Sequence, residues 1–254
     1  MSESHNKPFD VPGTSLDVHG ASFDVAGLTA EEIQARVLHR DGLMLVINKP
    51  AGLPVHRGPK GGANLEASFD GLRFGLPRPP VLAHRLDKDT SGCLVLGRHR
   101  KATASLGLLF KHGKIAKTYW AVVEGGPAED EGTIDMALGR LNEERGWWQK
   151  PDLDGQKAVT NWKVCGRGDG LTWLALEPVT GRTHQLRVHS SATGWPIVGD
   201  NIYGNGPRFG EPILHLHSRA IGIPISKNKE PVHVVAPAPE HMHERLRKCG
   251  WNGE

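Results

Sequence analysis

The apolar residues of this chain come in short runs, each closed by proline, glycine or charge. Leu43-Met44-Leu45-Val46-Ile47 stops at Asn48-Lys49-Pro50-Ala51-Gly52, where proline removes an amide donor and glycine admits a turn. Cys93-Leu94-Val95-Leu96 follows directly on the charged stretch from His84 to Gly92. Runs this short suit buried strands, and none approaches the roughly 18 residues that a membrane-spanning helix needs. Residues 115–123, 159–165 and 171–177 read as further strands, with apolar pieces at 213–216 and 231–236. Between them, Thr29-Ala30-Glu31-Glu32 forms a capping box at the start of a short helix. Residues 100–112 place Ala104 and Leu108 at helical spacing, Thr183 suits the N-cap of a short helix from His184, and a last helix is predicted around 240–248. The sum is a mixed α+β chain with more strand than helix, with the charged stretch expected at a sheet edge.

At 254 residues the chain can bury one large or bilobal core. Residues 1–28 mix Gly, Pro, Ser and Asp without an apolar period and are expected to form a flexible arm. Residues 29–254 then make one domain, carrying an acidic, glycine-interrupted insertion at about 126–158 that includes Trp147-Trp148. The polar start offers no secretory signal, so a soluble, cytosolic, monomeric protein is expected. Three scattered cysteines fit neither a disulfide framework nor a zinc ribbon. Fourteen histidines invite a metal, but His215-Leu216-His217 and His241-Met242-His243 lack the spacing of a known metal motif, and no metal is expected. Phosphate-cradling and dinucleotide-binding glycine loops are missing too, so no cofactor is expected.

The net charge of +3 says little; its distribution says more. From Thr90 to Val123 stand six basic residues, Arg98, Arg100, Lys101, Lys111, Lys114 and Lys117, and no acid, a pattern suited to phosphates or to a solvated helix face. Asp87 lies between Arg85 and Lys88, whose charges favour its ionised form. On local chemistry alone, a solvent-exposed turn in which Asp89 and Thr90 merely cap local amides is the commoner reading. The segment Arg182-Thr183-His184-Gln185-Leu186-Arg187-Val188-His189 offers two guanidiniums able to grip a carboxylate or a phosphate. Tyr119, one of two tyrosines, can stack on an unpaired base or simply pack on a sheet.

Taken in order, His84-Arg85-Leu86-Asp87-x-x-Thr90-Ser91-Gly92, Lys117-x-Tyr119 and Gly181–His189 closely resemble the RluA-type family of pseudouridine synthases. Asn48–His56, Val198-Gly199-Asp200-x-x-Tyr203 and Leu214–Ser218 look like family segments as well, so the likeness covers roughly 38–243. The resemblance implies a long, bent, mostly antiparallel sheet with flanking helices and a basic cleft across its middle. It implies Asp87 as the essential aspartate, Tyr119 as the ring against the target uracil, and Arg187 as the arginine paired with the aspartate. Arg85 would lie near the flipped nucleotide, while Lys49, Arg182 and the stretch 98–117 would hold phosphates, with Lys117 and His184 also facing the RNA. The expected partner is a ribosomal or transfer RNA stem-loop presenting a flipped-out uridine. Two rivals are an RNA-binding factor without catalysis and a glycosidase, the latter needing a second carboxylate.

Overall fold

The computed structural model describes residues 15–16, 22–23, 27–58, 61–141, 148–226, 228 and 230–253. In chain order its elements are β1 (Ser15–Leu16), β2 (Ser22–Phe23), α1 (Ala30–Gln34), β3 (Val37–Arg40), β4 (Met44–Lys49), a 3-10 helix (Leu65–Leu72), β5 (Val81–Leu82), β6 (Ser91–Gly97) and α2 (Arg100–Lys111). There follow β7 (Ala116–Glu124), β8 (Glu131–Asp135), β9 (Leu138–Arg140), β10 (Gln149–Pro151), β11 (Val159–Gly168), β12 (Leu171–Pro178), α3 (Gln185–Ala192), β13 (Leu216–Ile223), β14 (Val232–Val235) and α4 (Glu240–Lys248). One long sheet runs β3-β4-β6-β13-β7-β12-β11-β8, with β14 added beside β13 and β5 beside β6. Its pairings are antiparallel except that of β13 with β6.

Alternation along the strands explains why both faces are covered. In β4 and β6, Leu45, Ile47, Leu94 and Leu96 point to one side, where Ile33 of α1 and Leu65, Phe69 and Leu72 of the 3-10 helix meet them. Met44, Val46, Cys93 and Val95 point to the other, against Leu106 of α2 and Val234 of β14. Across the sheet, Ala121, Val123, Leu174 and Leu176 pack under Leu186 of α3, whereas Val122 faces Met242 and Leu246 of α4. Tyr119 packs against both of the clusters that lie on the α1 and α3 sides, so it stands where the two halves of the sheet meet. A cleft at mid-sheet is the consequence.

Several local expectations hold in atomic detail. Thr29 and Glu32 complete the capping box, Glu32 accepting from the Thr29 amide at 2.8 Å and Thr29 from the Glu32 amide at 3.2 Å. Others are corrected. The charged stretch 84–92 does not lie at a sheet edge, because β6 is an inner strand between β4 and β13. Helix α2 forms, but it buries Ala102 and Leu106, leaving Ala104 exposed and Leu108 at 55% exposure. Thr183 does not cap α3: the N-cap is His184, and the turn before it is tied from inside the helix by Gln185, whose Oε1 accepts from the Arg182 amide at 3.0 Å and the Thr180 hydroxyl at 2.7 Å. The segment at about 126–158 is partly continuous with the sheet, since β8 pairs with β11; β9 and β10 form a separate hairpin. Most of residues 1–28, and Trp147, lie outside the described residues.

Candidate active site

Most of the residues singled out by sequence converge on one place. A cleft of about 370 Å³ is lined by Arg85, Asp87, Lys111, Lys117, Tyr119, Arg182, His184 and Arg187, among others. A second, of about 300 Å³, shares Arg85, Asp87, His184 and Arg187 and opens towards His56, Lys88 and Asp89. Asp87 lies in the wall common to both and is the one acid among the described residues that line the first.

Five residues of the stretch 84–92 hold it in place. His84 accepts the Val95 amide proton at its Nε2 (3.0 Å) and stacks on Phe110 with ring centroids 4.1 Å apart. Burial, helped by Lys117, pushes its pKa down to about 3, so the ring is neutral and its remaining proton is on Nδ1. Leu86 is buried in the core beneath the loop. The Thr90 amide closes a turn onto the Asp87 carbonyl at 3.2 Å, and the Ser91 hydroxyl lies 2.8 Å from Nδ1 of buried His217. Gly92 takes φ +102°, and a β-carbon there would overlap the Ser218 carbonyl, so the strand can start beside β13 only with glycine.

Lys49 is not placed to meet phosphate. It is fully buried, and its ammonium donates to the carbonyls of Pro50, Lys88 and Thr90 at 2.8, 2.8 and 2.9 Å. Two of those carbonyls flank the Asp87 turn, so Lys49 fixes the loop from within. Burial pushes its pKa down to about 7, against the pull of Asp89 and Asp87. Arg98 likewise turns inwards, donating to the Asp41 carbonyl at 2.6 Å and the Arg73 carbonyl at 3.4 Å. The basic residues left facing the cleft are Arg85, Lys111, Lys117, Arg182 and Arg187. Burial holds Lys117 below the ordinary lysine range, and Arg182 is steered by a 3.0 Å bond from its Nε to the Lys157 carbonyl.

Arg187 does lie beside Asp87, but its fork grips another acid. Its Nε and Nη2 donate to Asp200 at 2.8 and 2.6 Å, with side chains 3% and 1% exposed. Burial opposes the arginine's charge; the two Asp200 bonds, with the fields of Asp87 and Asp89, outweigh it and raise the pKa. Burial also works against the Asp200 carboxylate, and Arg187 with the Tyr203 and Ile202 amides overcomes it, so that its pKa falls. Among the described residues the side chain that pairs with Asp87 is His184, whose Nε2 is 3.7 Å from Oδ2. Burial lowers the His184 pKa, with Asp87 pulling the other way and Arg187 adding to the fall. Tyr119 completes the wall, its phenol pushed up to about 12 by burial while the Ser218 hydroxyl works against that rise. Asp200 and Tyr203 were visible in sequence only as part of Val-Gly-Asp-x-x-Tyr; no local signal says that the acid reaches back to Arg187.

A neutral tyrosine, a single carboxylate and five cations around an open cleft suit a reaction on a polyanion that uses one acid. Residues 43–192 match the family model described as RNA pseudouridylate synthase. An uncharacterised RNA pseudouridine synthase of Zymomonas mobilis is 42% identical over 209 residues, covering 81% of this chain and 94% of its own. One of Bacillus subtilis is 33% identical over 251 residues, 95% of this chain and 82% of its own. Among solved structures, human RNA pseudouridylate synthase domain containing 4 superposes with a TM-score of 0.72 at 29% identity, over 86% of this chain and 95% of that one. Human RNA pseudouridylate synthase domain containing 1 gives a TM-score of 0.68 at 31% identity, over 85% of each chain. The chain belongs to the RluA-type family of RNA pseudouridine synthases, isomerases that act on uridine within RNA.

Proposed function

We propose that the substrate is a uridine of a structured ribosomal or transfer RNA, flipped into the 370 Å³ cleft, and that Asp87 is the catalytic carboxylate. The observation that carries this reading is the isolation of Asp87: one acid in the wall common to two clefts, backed by a fixed loop and facing Tyr119. Pseudouridine formation breaks the bond between N1 of uracil and C1′ of ribose, turns the base and joins its C5 to C1′; the C5 proton is lost and N1 gains one. Attack at C1′ and removal of the 2′ proton both require an ionised carboxylate at the ribose. Arg187, held by Asp200, supplies positive charge near Asp87 without capping it, which limits the cost of desolvating the acid when RNA closes the cleft. Tyr119 stacks on the freed uracil. Extruding the base costs a few kcal/mol, least in loops, so a stem-loop is the favoured substrate.

The cations hold phosphates and position the strand without reading its sequence. A further polar cleft of about 450 Å³ shares Gly181 and Arg182 with the first, and the strand is inferred to continue across these two residues. A glycosidase would need a second carboxylate in the cleft, and the described lining residues contain none.

The test is Asp87→Asn, equal in size and uncharged. Single-turnover conversion of total RNA from cells lacking the gene should fall by more than about 10³-fold, the order seen when a directly reacting group is removed. Binding of the same RNA, measured by filter retention, should persist and weaken as salt rises. Conversion near the normal rate by the variant sinks the assignment.

A further inference from the structure

Behind the carboxylate runs a polar chain that the roles above do not use. Tyr203 places its phenol oxygen 2.9 Å from Nδ1 of His184 and 2.9 Å from the amide nitrogen of Gln149, the first residue of β10. A backbone amide can only donate, so the phenol oxygen accepts from Gln149, and its own proton is available to the imidazole. With that proton given to Nδ1, the ring proton falls on Nε2, the nitrogen 3.7 Å from Asp87 Oδ2. With the opposite tautomer a lone pair would face the carboxylate and push it away.

A second observation is independent of this chain. His184 sits at φ 53°, ψ 16°, in the left-handed region, which few residues other than glycine adopt and where asparagine, aspartate and histidine are the commonest exceptions. As a helix N-cap it makes no side-chain capping bond. Asparagine is equally at home in this backbone, so His184→Asn removes the imidazole without straining the turn. The ring is 6% exposed and packs edge-on against Tyr203 at 5.5 Å.

We propose that Tyr203 is a positioning residue for the catalytic carboxylate, acting through His184 by fixing the tautomer that presents Nε2–H to Asp87. The chain Gln149–Tyr203–His184–Asp87 also ties the β9–β10 hairpin to the reacting centre. This inference rests on Asp87 being the catalytic acid.

Tyr203→Phe removes the hydroxyl and keeps the ring that lies 5.4 Å from the Arg187 guanidinium carbon. Its single-turnover rate should fall about 10- to 100-fold, as for other partners that fix an imidazole's tautomer, with RNA affinity unchanged. His184→Asn, at ease in the left-handed backbone but too short to reach Asp87, should fall at least as far. The double variant should be no slower than His184→Asn alone, because both act through one contact. Imidazole 15N shifts of the unaltered protein give a readout independent of any variant: a proton on Nε2 of His184 is expected, and a proton on Nδ1 overturns the inference. So does a Tyr203→Phe rate equal to the unaltered enzyme, or losses that multiply in the double variant. Asp87→Asn run alongside separates the two failures, since an active Asp87→Asn refutes the catalytic acid itself, whereas an inactive one beside a normal Tyr203→Phe refutes only the role of Tyr203.

Discussion

In the loop 84–92 the fixed object is the main chain: Lys49 holds two of its carbonyls, His84 accepts from the next strand, and Gly92 lets β6 start against β13. The Asp87 side chain in it stays 23% exposed. In the segment 184–203 the fixed objects are side chains, Arg187 and Asp200 locked together at 3% and 1% exposure. The contrast shows how one cleft can keep a carboxylate both supported and available. Bound to Asp200, Arg187 spends its fork on another acid and lends only its field to Asp87. A backbone frame positions the proposed catalytic carboxylate, and a buried ion pair positions the charge beside it.

The largest effect expected is from breaking the frame. Gly92→Ala places a β-carbon against a backbone carbonyl that cannot move aside, at a φ that alanine avoids. Strain of about 1–3 kcal/mol and overpacking of similar size add to roughly 2–6 kcal/mol. That approaches the whole stability of many domains, so urea melts should show a marginal or unfolded variant. A native-like melt would mean that β6 and β13 part easily, and the loop would then not be the rigid half.

Breaking the ion pair has a smaller maximum cost and, unlike the first change, should be reparable. Asp200→Asn keeps an oxygen for the Ile202 and Tyr203 amides but strands a buried guanidinium, a loss of about 3–5 kcal/mol. Adding Arg187→Met removes the stranded charge and should recover much of that stability, whereas activity stays lost in both variants. Stability that does not recover in the double variant would show that Asp200 supports the fold through its backbone contacts rather than through Arg187.

The asymmetry between the halves also explains what the sequence discloses. Strands such as β4 and β6, and the boundaries of α4, follow from local runs and breakers, and the stretch around Asp87 is contiguous, so its residues announce one another. The face of α2 is not legible in the same way, because Leu108 and Leu106 are equally apolar and only the position of the sheet decides which turns inwards. Lys49 looks like a phosphate contact because a lysine is ordinarily exposed; its burial depends on three carbonyls that the fold brings together. Asp200 and Arg187 are 13 residues apart and meet only after α3 and its following turn have formed. Pairing by tertiary geometry leaves no spacing to read.

The smallest effect expected is that of mild acid on the frame. His217 is fully buried, lies 2.8 Å from the Ser91 hydroxyl through Nδ1, and has Nε2 3.3 Å from the Ala236 carbonyl. Burial, with Arg219 and His241 adding to it, lowers its pKa to about 4. Between about 6.5, the value in an unfolded chain, and 4, the unfolded state binds a proton that the native state does not, so stability falls as pH falls through that window and no further below it. At pH 5 the loss from this one residue is about 2 kcal/mol relative to neutral pH. His217→Asn retains an acceptor near the Nδ1 position for Ser91 and cannot titrate there. Its stability, measured by urea melts, should trail the unaltered protein at pH 7 and close on it by about 2 kcal/mol at pH 5. Parallel pH curves for the two proteins would remove His217 from the frame and leave Lys49, His84 and Gly92 to hold the loop.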